Sequence, residues 1–207
     1  MTLPAPAREP KQDRSRETRA RILESTVDCL AERGWQGTTM AVVAARSGVS
    51  RGALQHHFPT REDLVLAAMS EMFEQRISAE ELIDSAPASA SEGDQFDHLV
   101  ERVLDFYASP LFAAALHIWT AAATDPALRD RLLVQEDVFA RGTYDRAVRA
   151  LHADVSDERT HRLIQTTLDL ARGLGLAQVL SDDSKRRKSI AKFWASELRS
   201  IRTIPAS

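Results

Sequence analysis

Apolar residues recur at three- and four-residue spacing along most of the chain, and the runs they form are cut by glycine, proline and capping side chains. The first run carries Ile22, Leu23, Thr26, Cys29 and Leu30 and predicts a helix from about Ser15 to Arg33, stopped by Gly34. Two short runs follow. Met40, Val43 and Ala44 lie behind Thr38 and Thr39, either of which can cap them, while Val49, Ala53 and Leu54 belong to a turn and a second run capped by Ser50. Gly48 stands between the two runs, where a tight turn often needs positive φ. Pro59 forbids continuation, and Thr60 with Asp63 forms a capping box for a helix to about Leu82, roughly 34 Å long at 1.5 Å per residue. Leu64, Val65, Ala68, Met72, Phe73 and Ile77 mark its apolar side.

From Asp84 to Asp94 the composition turns to Ser, Ala, Pro, Gly and acid, which predicts a loop. Every later segment reads helical. Phe96, Leu99, Val103, Leu104, Phe106 and Tyr107 make one stripe, ended by Ser109 and Pro110. Leu111 to Ala123 is apolar nearly all round and predicts a central helix. Asp125 and Pro126 open a long helix to about Leu151, Ser156 is placed to cap the next, and Ser181 with Asp182 and Asp183 the last. No strand alternation is visible, so the expected class is all-α with about nine helices. The expected organisation is a disordered arm over residues 1–12, a helix-turn-helix head over 13–61 and a larger helical body over 62–207.

Composition narrows the function. The 207 residues are 43% hydrophobic with a formal net charge of −3, which argues against a protein that coats nucleic acid indiscriminately. The charge is unevenly spread: residues 1–61 hold ten Lys and Arg against six Asp and Glu, about +4, which leaves about −7 on the remainder. A basic head on an acidic body suits local attraction to phosphate. Arg14, Arg16, Arg19 and Arg21 crowd the start of the first helix against its macrodipole; phosphate contact and a solvated face partnered by Glu17 and Asp13 are both open readings. The single cysteine, Cys29, excludes an intrachain disulfide and a multi-cysteine zinc site, suits a reducing compartment, and on an apolar helical face reads as inert core. No run of about 18 apolar residues and no signal-peptide core is present, so a soluble, cytoplasmic protein without membrane contact is expected. Metal motif, phosphate loop and nucleophile elbow are all lacking, so no cofactor or metal is expected; an enzyme and an effector-free architectural DNA-binding protein stand as alternatives.

Within the head, Gly34-Trp35, Gly37-Thr38-Thr39, Gly48-Val49-Ser50, Gly52, His57-Phe58 and Arg61 fall at fixed spacing. On these positions the segment from Ile22 through Leu64 resembles the DNA-binding domain of the TetR family of transcriptional regulators. The resemblance implies that Thr39, Ser50, Arg51, Gly52, Gln55, His56, His57 and Arg61 lie at or near double-stranded DNA, and Thr38, Ala53 and the first-helix Arg16 complete the candidate set. Where the family usually carries tyrosine this chain has Gln55, which can bond to adenine edges or to phosphate. Arg51 and Gln55 are the candidates for base edges, the hydroxyls and Arg61 for phosphates. Trp35 is expected to plug the seam behind the head, and the adjacent His56 and His57 point about 100° apart, which suits no shared metal.

The resemblance further implies a homodimer held by the last two long helices. Leu168, Ala171, Gly175, Ile190, Phe193, Trp194 and Leu198 are its candidate interface, with Gly173 and Gly175 tolerated where backbones approach closely. The run Lys185 to Lys188 reads as a solvated first turn. The size of the body suggests a cavity lined by Phe106, Phe112, Leu116, Trp119, Phe139 and Tyr144, with His117, Thr120, Thr143 and Arg172 as orienting polar groups, for a small apolar or aromatic effector. Repression relieved by that effector is the expected mode of action.

Overall fold

The computed structural model describes residues 10–78 and 92–205. Among these lie nine helices and no strand: α1 Pro10–Gly37, α2 Met40–Ser47, α3 Arg51–His57, α4 Arg61–Ser78, α5 Glu92–Tyr107, α6 Pro110–Ala122, α7 Pro126–Ala150, α8 Glu158–Gln178 and α9 Ser184–Leu198. The all-α class is as the spacing predicts. Two compact units divide inside α4, after Met72. Of the arm expected over 1–12, the part up to residue 9 lies outside the described residues, and the backbone is helical from Pro10. Most of the expected loop, up to residue 91, and the stretch of the long helix beyond Ser78 also lie outside them.

The first unit closes around Ile22, Leu23, Cys29 and Leu30 of α1, Val43 of α2, Leu54 of α3 and Leu64 and Val65 of α4, none more than 1% exposed. Burying side chains of this size stabilises by about 1.5–3 kcal/mol each. Helix α1 breaks at Gly34, whose φ of 66° is left-handed. Thr39 caps α2, its hydroxyl accepting from Val42 N at 3.3 Å, and Ser50 caps α3, accepting from Ala53 N at 3.1 Å. The Thr60–Asp63 box forms in both directions, Thr60 N to Asp63 Oδ2 at 3.2 Å and Asp63 N to Thr60 Oγ1 at 3.0 Å. Of the core expected from spacing, Ala53 is exposed and Met40 and Val49 are only half-buried.

In the second unit α5 packs against α8 and α9, α6 against α7, and α6 and α7 against α8. Asp125 caps α7, accepting from Leu128 N at 3.1 Å. Two helix starts differ from the sequence reading. Asp157, not Ser156, caps α8, because its carboxylate reaches both the backbone N–H (2.9 Å) and the hydroxyl (2.8 Å) of Thr160, which also hold it below the usual carboxylate range. Helix α9 begins at Ser184 rather than near Ser181, with Asp182 Oδ1 accepting from Ser184 N at 3.0 Å. After α9 the chain returns to the α7–α8 turn: Ile204 N donates to His152 O (2.7 Å), Asp154 N to Arg202 O (2.8 Å) and Arg202 N to Thr160 Oγ1 (2.9 Å). His152 takes a left-handed φ of 47° in that turn.

Glycine 175 carries the tightest approach in this unit. A Cβ there would stand 2.2 Å from the Tyr107 carbonyl oxygen and 2.9 Å from Phe112 Cε1, so α8 meets the end of α5 backbone to backbone. At Gly142 on α7 a Cβ would meet nothing. Gly175→Ala is therefore expected to lower the free energy of unfolding by about 1–3 kcal/mol through overpacking, while Gly142→Ala raises it by up to about 1 kcal/mol through helix propensity. Urea denaturation followed by circular dichroism reads both; equal midpoints for the two variants would contradict the close approach.

Candidate nucleic-acid interface and interior polar cluster

Helix α3 turns most of its side chains outward. Leu54 is fully buried and anchors the helix, while Arg51, Gly52, Ala53, Gln55 and His56 around it are exposed and His57 is half-buried. Gly48, left-handed at φ 68° and ψ 28°, ends α2 and allows Val49 N to reach back to Ala44 O at 3.1 Å. The exposed caps Thr39 and Ser50 stand at the N-termini of α2 and α3, where unpaired N–H groups and the helix dipole favour an anion. At Gly52 an added Cβ would meet nothing within 4 Å, so nothing inside the chain demands glycine there.

Several candidates prove to be braces. Thr38 is fully buried and its hydroxyl donates to Gly34 O at 2.8 Å, which removes it from any outer contact. Arg61 is half-buried with its guanidinium 4.1 Å from the centre of the Trp35 ring, and it donates to Trp35 O (3.4 Å) and Glu62 (3.1 Å). Trp35 is itself half-buried, so it lies against α4 as a stacking platform for Arg61 more than as a plug. The four early arginines separate. Arg14 and Arg16 stand exposed. Arg19 pairs with Glu71 (3.3 Å) and lies over the Phe58 ring, and Arg21 Nε donates to Ser47 O at the end of α2 (2.8 Å). Sequence reading missed Arg46, which grips Glu32 (2.6 Å) and Asp28 (2.9 Å) of α1; its hydrogen bond keeps the Glu32 carboxyl below its usual value. Exposed and bracing arginines look alike in a sequence, because the acids that hold Arg19 and Arg46 lie 14 to 52 positions away.

In the body six aromatic residues form one continuous run. Phe73 lies 4.3 Å from Phe139 and Phe139 5.6 Å from Phe106; Phe106 then meets Tyr107 (5.3 Å), Tyr107 meets Phe112 (5.0 Å) and Phe112 meets Trp119 (5.7 Å), measured between ring centres. At its far end Trp119 Nε1 donates to Glu136 Oε1 at 2.7 Å. Burial pushes the Glu136 carboxyl up from its usual value, opposed by the indole N–H and by Arg172. Arg172 lies 5.8 Å from the Tyr107 ring centre and pairs with Asp169 at 2.7 Å, leaving its Nε buried without a partner. The other polar candidates turn back on their own helices or towards another partner. Thr143 donates to Phe139 O (2.9 Å), and exposed Thr120 to Leu116 O (2.8 Å). Tyr144 bonds to His161 Nδ1 of α8, and Leu116 and His117 are half-buried. Glu136 was not among the sequence candidates; its one signal was an acid on the same face as Leu132, Phe139 and Thr143.

The candidate interface residues divide by burial. Leu168, Ala171, Gly175 and Leu198 are buried within the single chain: Ala171 and Leu198 are fully covered and Gly175 faces Tyr107. Trp194 ties α9 to α8 through Thr167 Oγ1 (2.9 Å), and Ile190 is half-buried. Phe193 is 62% exposed, and Leu176, Val179 and Leu180 of the α8 end are exposed with it. Arg187 of the basic run is not solvated; it bridges to Asp105 of α5 (3.4 Å) and to Gln178 (3.3 Å).

No described helix is long and apolar enough to cross a membrane. Residues 22–68 match the model of the bacterial regulatory proteins of the tetR family. The HTH-type transcriptional repressor AcnR of Corynebacterium diphtheriae is 31% identical over 160 residues, 73% of this chain and 77% of that protein. The HTH-type transcriptional regulator CymR of Pseudomonas putida is 33% identical over 130 residues, spanning 61% of each chain and thus less than two thirds of that relative. Among solved structures, a transcriptional regulator from Rhodococcus sp. Rha1 superposes with a TM-score of 0.64 at 19% identity, covering 90% of this chain and 99% of that one. The multidrug binding protein EbrR, complexed with imidazole, superposes with a TM-score of 0.56 at 24% identity, covering 91% and 97%. These likenesses belong to transcriptional regulators and not to enzymes. The helix-turn-helix built on Leu54 and Gly48, with relatives matched well beyond it, makes this chain a member of the TetR family of bacterial transcriptional regulators.

Proposed function

We propose that the chain is a repressor that binds a pseudo-palindromic DNA operator as a homodimer and is released from it by a small effector. The observation that carries the DNA reading is the exposed face of α3, in which Arg51, Gly52, Ala53, Gln55 and His56 surround a helix held rigidly by Leu54. Laid in a major groove, the N-terminal part of such a helix meets base edges. Arg51 and Gln55 read bases, where a bidentate contact is worth about 1–3 kcal/mol of discrimination. Thr39 and Ser50 meet phosphates from helix N-termini, Arg16 adds charge, and Gly52 lets the backbone come close. Arg61 acts from behind, holding the Trp35 seam and adding positive potential. Repression is supported by the AcnR relative, itself a transcriptional repressor.

Dimerisation rests on Phe193 of α9, Leu176 of α8, and Val179 and Leu180 in the turn after α8, all large apolar side chains that are exposed. Gly173, exposed one turn before Leu176 on α8, has open space before it and suits the approach of a partner helix. The two heads then meet successive grooves about 34–36 Å apart. The effector occupies the aromatic run between Phe106 and Trp119, with Phe139, Arg172 and the half-buried Leu116 and His117 around it. The solved relative EbrR holds imidazole, and another neighbour of similar fold holds choline, so small ligands are bound on this architecture. Helix α4 contributes Leu64 to the core of the head and Phe73 to the aromatic run of the body, so a ligand that favours one packing of Phe73 shifts the population of head positions.

Two outcomes test this reading. Arg51→Ala with Gln55→Ala is expected to abolish preference for a duplex selected from random sequences while the dimer persists; an operator affinity equal to wild type would defeat the DNA assignment. Wild type is expected to sediment at twice the 23.0 kDa chain mass, and Phe193→Glu at about the chain mass with operator affinity lost. A Phe193→Glu protein that remains dimeric would move the interface off α9.

A further inference from the structure

One carboxylate inside the second unit has no countercharge of its own. Glu136 is half-buried on α7, one turn from Leu132 on one side and Phe139 on the other, both of them buried. It accepts a single hydrogen bond, from the Trp119 indole at 2.7 Å on Oε1, and forms no salt bridge among the described residues. The nearest cation that acts on it, Arg172 of α8, is already held by Asp169 at 2.7 Å. These three groups sum to one negative charge. Removing an ionised carboxylate from water without a paired cation is unfavourable, and an opposite charge brought to it recovers that cost.

The surroundings favour the same sign. Trp119, Phe112 and Tyr107 are contiguous, with ring centres 5.7 Å and 5.0 Å apart, and ring faces carry a negative quadrupole that attracts cations. Arg172 Nε, buried without a partner, calls for an acceptor. An ether or carbonyl oxygen satisfies it, whereas a carboxylate would set a further negative charge beside Glu136 and Asp169.

We propose that the effector of this protein is an organic cation, an aromatic or alkyl ammonium compound whose charge is set between Glu136 Oε2 and the Trp119 ring and whose apolar part lies along Phe112. The assignment rests on the reading of the body as an effector site. Glu136 supplies charge selectivity, and the aromatic faces supply affinity that does not depend on it.

Binding of three probes to the full chain, followed by tryptophan fluorescence and thermal shift, separates the outcomes: benzyltrimethylammonium, neutral benzyl alcohol and anionic phenylacetate. The cation is expected to bind on the order of tenfold or more tighter than benzyl alcohol. In Glu136→Gln that ratio is expected to fall to about one, with benzyl alcohol affinity unchanged, a split that a merely structural role would not produce. Tighter binding of phenylacetate or benzyl alcohol than of the cation, binding of none of the three, or an undiminished ratio in Glu136→Gln overturns the proposal. Should Glu136→Gln fail to fold by circular dichroism, the order of the three probes on wild type decides. The effector reading fails separately: a cation that binds through Glu136 and leaves DNA affinity unchanged removes the regulatory role and leaves the cation site standing.

Discussion

Gly48 ends α2 in a left-handed conformation, φ 68° and ψ 28°, which costs little without a Cβ and about 1 kcal/mol or more with one. That reversal lets Val49 N close on Ala44 O and delivers Ser50 to the start of α3 as its cap. Leu54 then drops into the core of Ile22, Leu30, Val43 and Leu64, and the remaining side chains of α3 have only the outside to face. A helix of seven residues is far too short to hold itself in water. It exists here because the turn, the cap and one buried leucine fix it from three sides.

The braces behind α3 are polar and come from α1, α2 and α4. Arg46 joins α2 to α1 through Glu32 and Asp28, Arg21 closes on the last turn of α2 at Ser47 O, and Arg61 stacks on Trp35. Exposed ion pairs of this kind contribute little each, about 0–1 kcal/mol. Their geometric effect is larger than their energy, since each joins two helices whose relative placement sets where α3 points. The body is held differently. Its helices meet over small or absent side chains, Gly175 against Tyr107 and Ala171, Ala191 and Ala195 within the packing, while the aromatic run fills the space between.

The same burial logic sorts the outer surface of the body. Leu198 and Phe193 belong to one apolar helix in the sequence, but Leu198 is fully covered by its own chain and Phe193 is 62% exposed. A stripe wider than the fold can bury leaves part of itself for something else. The interior carboxylate is the converse case, a charge on a face that the fold does bury.

Read from the sequence alone, the turns and helix caps of the head were legible to the residue. Glycine, serine, threonine and proline act locally, so Gly34, Gly48, Thr39, Ser50 and the Thr60–Asp63 box are where their chemistry places them. Helical spacing likewise determined the all-α class, since a period of 3.6 needs no knowledge of the partner face. What depended on a distant partner was not legible: that Arg19 and Arg21 brace while Arg16 stays exposed, and that Glu136 meets Trp119. Two local contacts between competing hydrogen-bonding side chains also went the other way, Thr38 turning back to Gly34 O and Asp157 in place of Ser156 capping α8. Nor did Gly175 announce that it faces its own α5; that appears only in the 2.2 Å approach to the Tyr107 carbonyl. Local backbone chemistry is written in neighbouring residues, whereas the direction of a side chain is settled by which helices pack together, and that is a property of the whole chain.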